Sequence, residues 1–279
     1  NNKFEIKLTG GEVSLYPDQI RLAYKNLKKI ERYKDTEVRF TTISNGTNMN
    51  ALIELFDEGI LDPWGSKISW DGIYGASKSR KPKNKLYTDD YFNDQIRLLA
   101  ESKFKDKVLV RTALTKNTID DLYLSYLFLK YNGCTKWEYY YLTDAEYYKY
   151  HYFTEKFRLF LTQLIYDNYC TNNNPLKIQN IETMIYVNEI LPHNEKNRLR
   201  SISCRHLGTS LYISMNGDIY PCGYFSDDAV YDDDKLCIGN IFEGFDRIKM
   251  DNFSKEYFQP AMCTNKNCKL YQCFECPAV

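Results

Sequence analysis

Cysteines are the residues of this sequence whose spacing most clearly suggests chemistry. Cys204 is followed by twelve residues, Gly217, four residues and Cys222. Four further thiols lie close together at the end of the sequence, at Cys263, Cys268, Cys273 and Cys276. Thiolates clustered in this way mainly bind zinc or iron–sulfur clusters. Pro277 directly follows the last cysteine, as it follows ferredoxin-type cluster ligands, while a structural zinc site remains the alternative.

A predicted hairpin explains the long spacer between the first two of these cysteines. Residues 211–222 read Leu-Tyr-Ile-Ser-Met-Asn-Gly-Asp-Ile-Tyr-Pro-Cys, so two alternating strands flank Asn216-Gly217. Asn-Gly between alternating segments is a strong signal for a two-residue hairpin turn. The hairpin would fold the chain back and allow Cys204 and Cys222 to approach one metal centre.

A second candidate site lies near the start, where Gly10-Gly11-Glu12 stands between a predicted strand and a predicted helix. Ligands bind at the carboxyl ends of parallel strands in α/β folds. Two glycines would let a ligand approach the backbone, and the Glu12 carboxylate could accept an ammonium group. The tripeptide alone is more typical of a tight turn with a solvated acid.

Strands and helices alternate through residues 1–145, which predicts a parallel sheet in an open or closed β/α barrel. Residues 146–200 are predicted to be mostly helical, with four apolar side chains on one face. Residues 201–279 contain short strands, turns and cysteines, and they are predicted to form a second domain. The predicted strands cover residues 4–8, 38–43, 67–71, 108–114 and 137–142, and residues 75–90 are predicted to be a loop.

Composition excludes several classes of function. The sequence has 37 basic and 37 acidic residues and a formal net charge of zero, so it has no electrostatic signature for nucleic acid or an anionic membrane. It contains no apolar run of the roughly 18–20 residues that span a bilayer. The sparse, clustered cysteines fit metal binding better than disulfides, which indicates a reducing, cytoplasmic location.

Three ordered segments resemble the radical S-adenosylmethionine (AdoMet) enzymes. Leu8-Thr-Gly-Gly-Glu12 is similar to the AdoMet-binding turn of that family. Ser44-Asn-Gly-Thr47 is similar to its Thr-Asn-Gly-Thr turn, and Ser69-Trp-Asp-Gly72 followed by Arg80 to its Ser-x-Asp-Gly…Arg segment. The resemblance implies that Gly10 and Gly11 lie along the methionine moiety of AdoMet and that Glu12 accepts its amino group. It also implies that Ser69 contacts the ribose or carboxylate, with help from Arg80; the alternative for Ser69 is a strand hydroxyl bonded to a neighbour.

The cysteine-rich segment resembles the SPASM domain, which follows the radical barrel in peptide and protein maturases and holds auxiliary 4Fe–4S clusters. The resemblance covers roughly residues 200–276, including Ile238-Gly-Asn-Ile241. It implies that Cys204, Cys222 and Cys276 serve a first cluster and Cys263, Cys268 and Cys273 a second, with Cys237 as a possible substitute ligand. The last cysteines depart from the usual spacing of two, five and three residues. Cys134 and Cys170 are interpreted as small buried hydrophobic residues.

The expected fold is therefore α/β: a partial (β/α)6 TIM-like barrel over residues 1–145, a helical connector over residues 146–200 and a small SPASM-like α+β domain over residues 201–279. The family requires a Cys-x3-Cys-x2-Cys loop before the Gly-Gly-Glu turn, yet no cysteine precedes Cys134. We therefore expect the first strand and this loop to lie upstream of Asn1 or to have been lost, and this chain alone to be inactive.

The function that this resemblance implies is a radical AdoMet oxidoreductase or maturase that abstracts a hydrogen atom from a peptide or protein side chain through a 5′-deoxyadenosyl radical. Its cofactors would be AdoMet, a 4Fe–4S cluster bound upstream of this chain and one or two auxiliary 4Fe–4S clusters. Its partners would be the substrate and an electron donor such as flavodoxin or ferredoxin. The alternatives are an inactive fragment or zinc or iron–sulfur module that binds a partner peptide, and an electron-transfer module of another kind.

Overall fold

A computed structural model describes residues 3–30, 35–141, 151–171, 176–179, 181, 211–221 and 237–257 of the chain. The chain divides into two compact units, residues 1–183 and residues 184–279. The domain boundaries proposed from the sequence near residues 145 and 200 stay predictions.

The first unit is built on a six-stranded parallel sheet whose strand order follows the sequence, from β1 to β6. The predicted parallel α/β sheet is thus confirmed, and the five predicted strands are present with ends shifted by at most two residues. The sixth strand lies in the segment that was predicted to be helical, and that prediction was wrong at this point. The strands are Lys3–Leu8 (β1), Glu37–Ser44 (β2), Lys67–Ser69 (β3), Leu109–Leu114 (β4), Lys136–Tyr141 (β5) and Lys177–Ile178 (β6).

Six α-helices accompany these strands in the described part of the first unit. Local capping explains where several of them begin: Pro17 occupies the first turn of the first helix, where its missing N–H is not needed. The side chains of Asn48 and Thr88 accept hydrogen bonds from the first turns of the second and fourth helices, as N-cap residues do. The helices are Pro17–Lys29 (α1), Met49–Asp57 (α2), Gly75–Lys78 (α3), Asp89–Glu101 (α4), Leu122–Tyr131 (α5) and His151–Ile165 (α6).

Two local predictions are corrected here. The spacing of Thr118 and Asp121 predicts a capping box at the start of a helix. This box does not form, because the Thr118 hydroxyl accepts from the Thr115 N–H at 2.9 Å and donates to the Ala113 carbonyl at 3.1 Å. A 3-10 helix over Ile119–Asp121 leads into α5 instead. Residues 75–90, predicted to be a loop, contain α3 and the start of α4.

One face of the sheet packs against the helices and forms the core. Ile68, Val110 and Trp137 point into this core, together with side chains from α1, α2, α4, α5 and α6. The predicted apolar face of α6 is confirmed, since Phe160 and Leu164 are buried there. Because side chains alternate along a strand, the residues between these positions project from the opposite face, which we call the open face.

The second unit contains an antiparallel sheet with the strand order β10-β9-β8-β7. The predicted hairpin is confirmed, because Tyr212–Ile213 (β7) pairs with Asp218–Tyr220 (β8) around Gly217. Gly217 has φ of 87°, a conformation that favours glycine. The remaining elements are Gly239–Asn240 (β9), Gly244–Phe245 (β10) and the helix Arg247–Tyr257 (α7). Within the described ranges, no helix combines the length and apolar character needed to cross a membrane.

Candidate AdoMet and iron–sulfur sites

Three loops that begin at the carboxyl ends of β1, β2 and β3 form one edge of the first unit. These strands are consecutive neighbours in the sheet, so the segments that follow them are brought side by side. The loops contain Gly10-Gly11-Glu12, Ser44-Asn45-Gly46-Thr47 and Asp71-Gly72. Pairing of the strands thus brings together the three segments that the sequence analysis singled out separately.

The two glycines of the first loop leave its backbone open. Gly10 has φ of 84° and Gly11 has φ of 59°, and both values lie in the region that L side chains rarely adopt. A Cβ atom added to either residue would meet nothing within 4 Å. The space beside this backbone can therefore take the chain of a small ligand, which fits the methionine moiety of AdoMet.

Glu12 is half-buried and is held by several donors, so it is not the solvated acid of the alternative interpretation. Its Oε1 accepts a hydrogen bond from the Ser14 N–H at 2.9 Å and another from the Ser44 hydroxyl. Its Oε2 accepts from the Asn45 N–H at 2.8 Å. A carboxylate fixed in this way joins the first loop to the second and offers negative charge to an ammonium group.

Ser69 ends β3 and projects from the open face of the sheet. It is half-buried, and its hydroxyl makes no hydrogen bond to any residue that the structure describes. The alternative of a strand hydroxyl satisfied by a neighbour is therefore not observed. A hydroxyl free to donate and accept suits a ribose or a carboxylate.

Arg80 reaches the same edge through a two-point ion pair with Asp71. Its Nε lies 2.7 Å from Asp71 Oδ2, and its Nη2 donates to Oδ1 at 3.1 Å. The Asp71 side chain is 3% exposed, whereas that of Arg80 is 48% exposed. Asp71 also accepts from the Ala113 N–H at 3.3 Å. The pair consequently places a cation at the surface, and Asp71 connects the loop after β3 to the end of β4.

The open face carries a polar group that the sequence analysis missed. The strand register places Ser69 opposite Arg111, and Arg111 opposite Glu138. Lys67 Nζ lies 2.9 Å from Glu138 Oε2, and the Arg111 guanidinium lies 3.9 Å from the ring centre of Tyr140. The signal that could have found this group is the arginine in the otherwise apolar strand segment Leu-Val-Arg-Thr-Ala-Leu.

Most of the predicted metal ligands lie outside the described residues. Cys237 is described: it is half-buried, and its thiol donates to the Gly239 carbonyl at 3.4 Å. In the parts of the chain that the structure describes, no three metal-binding side chains cluster. The predicted ligands outside those parts are Cys204, Cys222, Cys263, Cys268, Cys273 and Cys276.

The other two described cysteines differ from each other. Cys134 is buried, as predicted, and burial raises the pKa of its thiol to about 12. Cys170 is exposed, so its interpretation as a buried hydrophobic residue was wrong. It is the last residue of the π-helical segment Tyr166–Cys170 that follows α6.

Comparisons with known proteins bear on both the cysteine-rich segment and the parallel sheet. Residues 204–277 match the family model of SPASM, an iron–sulfur cluster-binding domain, and this segment begins at Cys204 and includes every predicted cysteine ligand. No curated protein sequence matches the chain.

Among solved structures, the chain is similar to anSMEcpe with bound AdoMet (TM-score 0.67, 18% identity, covering 92% of this chain and 69% of that one). It is also similar to anSMEcpe with bound AdoMet and the Kp18Cys peptide (TM-score 0.68, 19% identity, covering 98% and 74%). Streptococcus suis SuiB bound to S-adenosylmethionine has a TM-score of 0.50 at 13% identity, covering 91% of this chain and 54% of that one. Residues 204–277 thus match a SPASM iron–sulfur cluster-binding domain, and the chain shares its fold with anSMEcpe.

Proposed function

We propose that this protein is a radical AdoMet maturase that modifies a side chain of a peptide or protein, with auxiliary 4Fe–4S clusters in its SPASM domain. The observation that carries the proposal is the open Gly10-Gly11 backbone beside the fixed carboxylate of Glu12, at the carboxyl edge of a parallel sheet. The SPASM match over residues 204–277 supports it independently.

The residues of the chain have distinct roles in this proposal. Gly10 and Gly11 bind the methionine chain of AdoMet along their open backbone, and Glu12 holds its ammonium group. The hydroxyl of Ser69, which bonds no described residue, binds the ribose or the carboxylate. Arg80, which Asp71 orients through two contacts, adds positive charge at the same edge and favours the AdoMet carboxylate.

AdoMet bound together with a reduced 4Fe–4S cluster supplies a 5′-deoxyadenosyl radical that removes a hydrogen atom from the substrate. The cysteine ligands proposed for the auxiliary clusters are Cys204, Cys222 and Cys276 for the first and Cys263, Cys268 and Cys273 for the second, with Cys237 as the substitute. A reductant of the flavodoxin or ferredoxin class would provide the electron. The similar structure of anSMEcpe contains the Kp18Cys peptide beside AdoMet, which supports a peptide as the substrate here.

The test is the release of 5′-deoxyadenosine by protein expressed from its complete gene and reconstituted anaerobically with iron and sulfide. We expect brown protein with iron and sulfide in equal amounts, and 5′-deoxyadenosine after reduction with dithionite. Gly11→Val should abolish this release, because a branched side chain would fill the space beside the backbone and cannot easily adopt φ of 59°.

Two results would oppose the proposal. Colourless protein that contains zinc and releases no 5′-deoxyadenosine would favour a peptide-binding module. Undiminished release by Gly11→Val would remove the first loop from the AdoMet site. Gly133→Val is the matched control, because Gly133 also has positive φ (82°) and open space beside it but follows α5.

A further inference from the structure

Arg111 is the most unusual side chain of the open face. Its side chain is 26% exposed, and its buried Nε atom lies 3.3 Å from Glu138 Oε2 without making a hydrogen bond to any described residue. No hydrogen bond from its two terminal nitrogens to any described residue is present either. The ion pair with Glu138 therefore leaves the hydrogen-bond donors of this guanidinium unsatisfied, and a bound acceptor would satisfy them.

Tyr140 holds the guanidinium in place without using its donors. The Arg111 guanidinium lies 3.9 Å from the centre of the Tyr140 ring, which is within cation–π range. The Tyr140 hydroxyl accepts a hydrogen bond from Arg80 Nη2 at 3.3 Å. Because the Tyr140 ring contacts the flat face of the guanidinium, the two terminal nitrogens at its edge stay available. These two nitrogens can bind a carboxylate through two parallel hydrogen bonds.

The charge of the surrounding cluster also favours an anion. Glu138 Oε2 lies 2.9 Å from Lys67 Nζ and 3.3 Å from Arg111 Nε. One carboxylate therefore stands between two cations, and the three side chains together carry one excess positive charge. All three are only 17–28% exposed, so this charge is weakly screened.

The strand register fixes where such an anion would lie. Ser69 pairs with Arg111 in the β3–β4 ladder, so the cluster is adjacent to the Ser69 hydroxyl that we assign to AdoMet. Arg111 and Glu138 lie on β4 and β5, which are farther than β3 from the loop of Gly10–Glu12. A group bound at Arg111 would thus lie next to AdoMet on the open face, which is the position that the substrate must take.

We propose that Arg111, within the cluster Lys67–Glu138–Arg111, binds a carboxylate of the peptide substrate, so that the protein selects an acidic peptide. This inference rests on the proposed function and specifies its substrate class. Arg111 is a specificity-determining residue in this proposal, and it takes no part in the cleavage of AdoMet.

The experiment compares two probes: fluorescein-labelled hexaglutamate and the equally labelled, uncharged hexaglutamine. Binding to the reconstituted full-length protein is followed by fluorescence anisotropy. We expect hexaglutamate to bind at least tenfold more tightly than hexaglutamine. Arg111→Gln should remove this preference, whereas Arg97→Gln should keep it, because Arg97 lies on α4 in a surface pair with Asp94.

Glu138→Gln gives a result of opposite sign. Removing this carboxylate leaves two uncompensated cations, so hexaglutamate should bind several-fold more tightly. If Glu138→Gln and Arg111→Gln both weaken binding, the cluster is structural and the proposal fails. Equal binding of both probes to the unmodified protein overturns it as well.

Peptide-free release of 5′-deoxyadenosine separates this proposal from the proposed function. Arg111→Gln should retain this release within about twofold. Loss of the release together with peptide binding would assign Arg111 to the AdoMet carboxylate and overturn the substrate assignment. If the unmodified protein releases none but still prefers hexaglutamate, the radical function fails while the acidic-peptide site stands.

Discussion

Glu12 accepts a hydrogen bond at 2.8 Å from the backbone N–H of Asn45, 33 positions later in the sequence. This contact joins the loop after β1 to the loop after β2. Because Ser14 and Ser44 donate to the other carboxylate oxygen, both oxygens of Glu12 are used as acceptors. The orientation of the candidate ammonium-binding group therefore depends on two neighbouring loops.

Glu12→Gln should weaken AdoMet binding about tenfold to a hundredfold. Loss of a hydrogen bond to a charged group costs roughly 1.5–3 kcal/mol, and 1.4 kcal/mol corresponds to a factor of about ten. The amide NH2 of the new side chain would also face one of the groups that now donate to Glu12, and two donors cannot form a hydrogen bond with each other. Isothermal titration with AdoMet measures the change, and Glu101→Gln on the exposed side of α4 is the control. Equal affinity of the two variants would show that Glu12 does not contact the cofactor.

Asp71 and Arg80 should be strongly coupled in stability. Arg80→Gln leaves the almost fully buried carboxylate of Asp71 without its cation, and we expect a loss of about 1–3 kcal/mol in the free energy of unfolding. The half-exposed position of Arg80 keeps this loss below that of a fully buried pair.

A double-mutant cycle in urea tests this coupling. Asp71→Asn combined with Arg80→Gln should cost less than the sum of the single changes, since the double variant leaves no charge unpaired. Additive single effects would mean that the contact seen here contributes no interaction energy.

Sequence patterns predicted much of the fold, and they singled out the three segments of the candidate AdoMet site, because the signals are local. Alternating strands, the Gly10-Gly11 turn and the Asn216-Gly217 turn each act within a few residues. Parallel pairing of successive strands then brings the carboxyl-end loops together without any further information.

The polar group of the open face was missed because it depends on contacts between distant segments. Arg111 faces Glu138 only because β4 and β5 pair in one particular register, and a shift by one residue would turn Arg111 into the core. The Thr118 hydroxyl bonds the end of β4 rather than the next helix, which its helix-start pattern could not indicate. Cys170 is exposed at the end of a π-helical segment. The apolar character of a cysteine side chain does not predict where such a segment ends.

Gly72→Ala should lower the free energy of unfolding by about 2–5 kcal/mol. Gly72 has φ of 100°, and an added Cβ would lie 2.4 Å from Ser125 Oγ. Ser125 cannot easily move, since its hydroxyl accepts from the Ile73 N–H at 3.2 Å and donates to the Asp121 carbonyl at 3.0 Å. Backbone strain of about 1–2 kcal/mol and an overpacking cost of about 1–3 kcal/mol therefore both contribute.

Gly59→Ala isolates the first of these two costs. Gly59 has φ of 68° and open space around its Cα, so we expect only the strain of about 1–2 kcal/mol. Urea denaturation of the two variants measures the difference, and equal losses would mean that Ser125 gives way without cost.

Cys134 should resist alkylation while Cys170 reacts. Burial disfavours the thiolate and raises the pKa of Cys134 to about 12, so at pH 8 only about one molecule in ten thousand carries the reactive form. The buried position also excludes the reagent, whereas Cys170 is exposed. Treatment with iodoacetamide at pH 8, followed by peptide mapping, should show modification of Cys170 in folded protein and of Cys134 only after unfolding in urea. Similar rates at the two positions in folded protein would contradict the packing of Cys134 beneath α5.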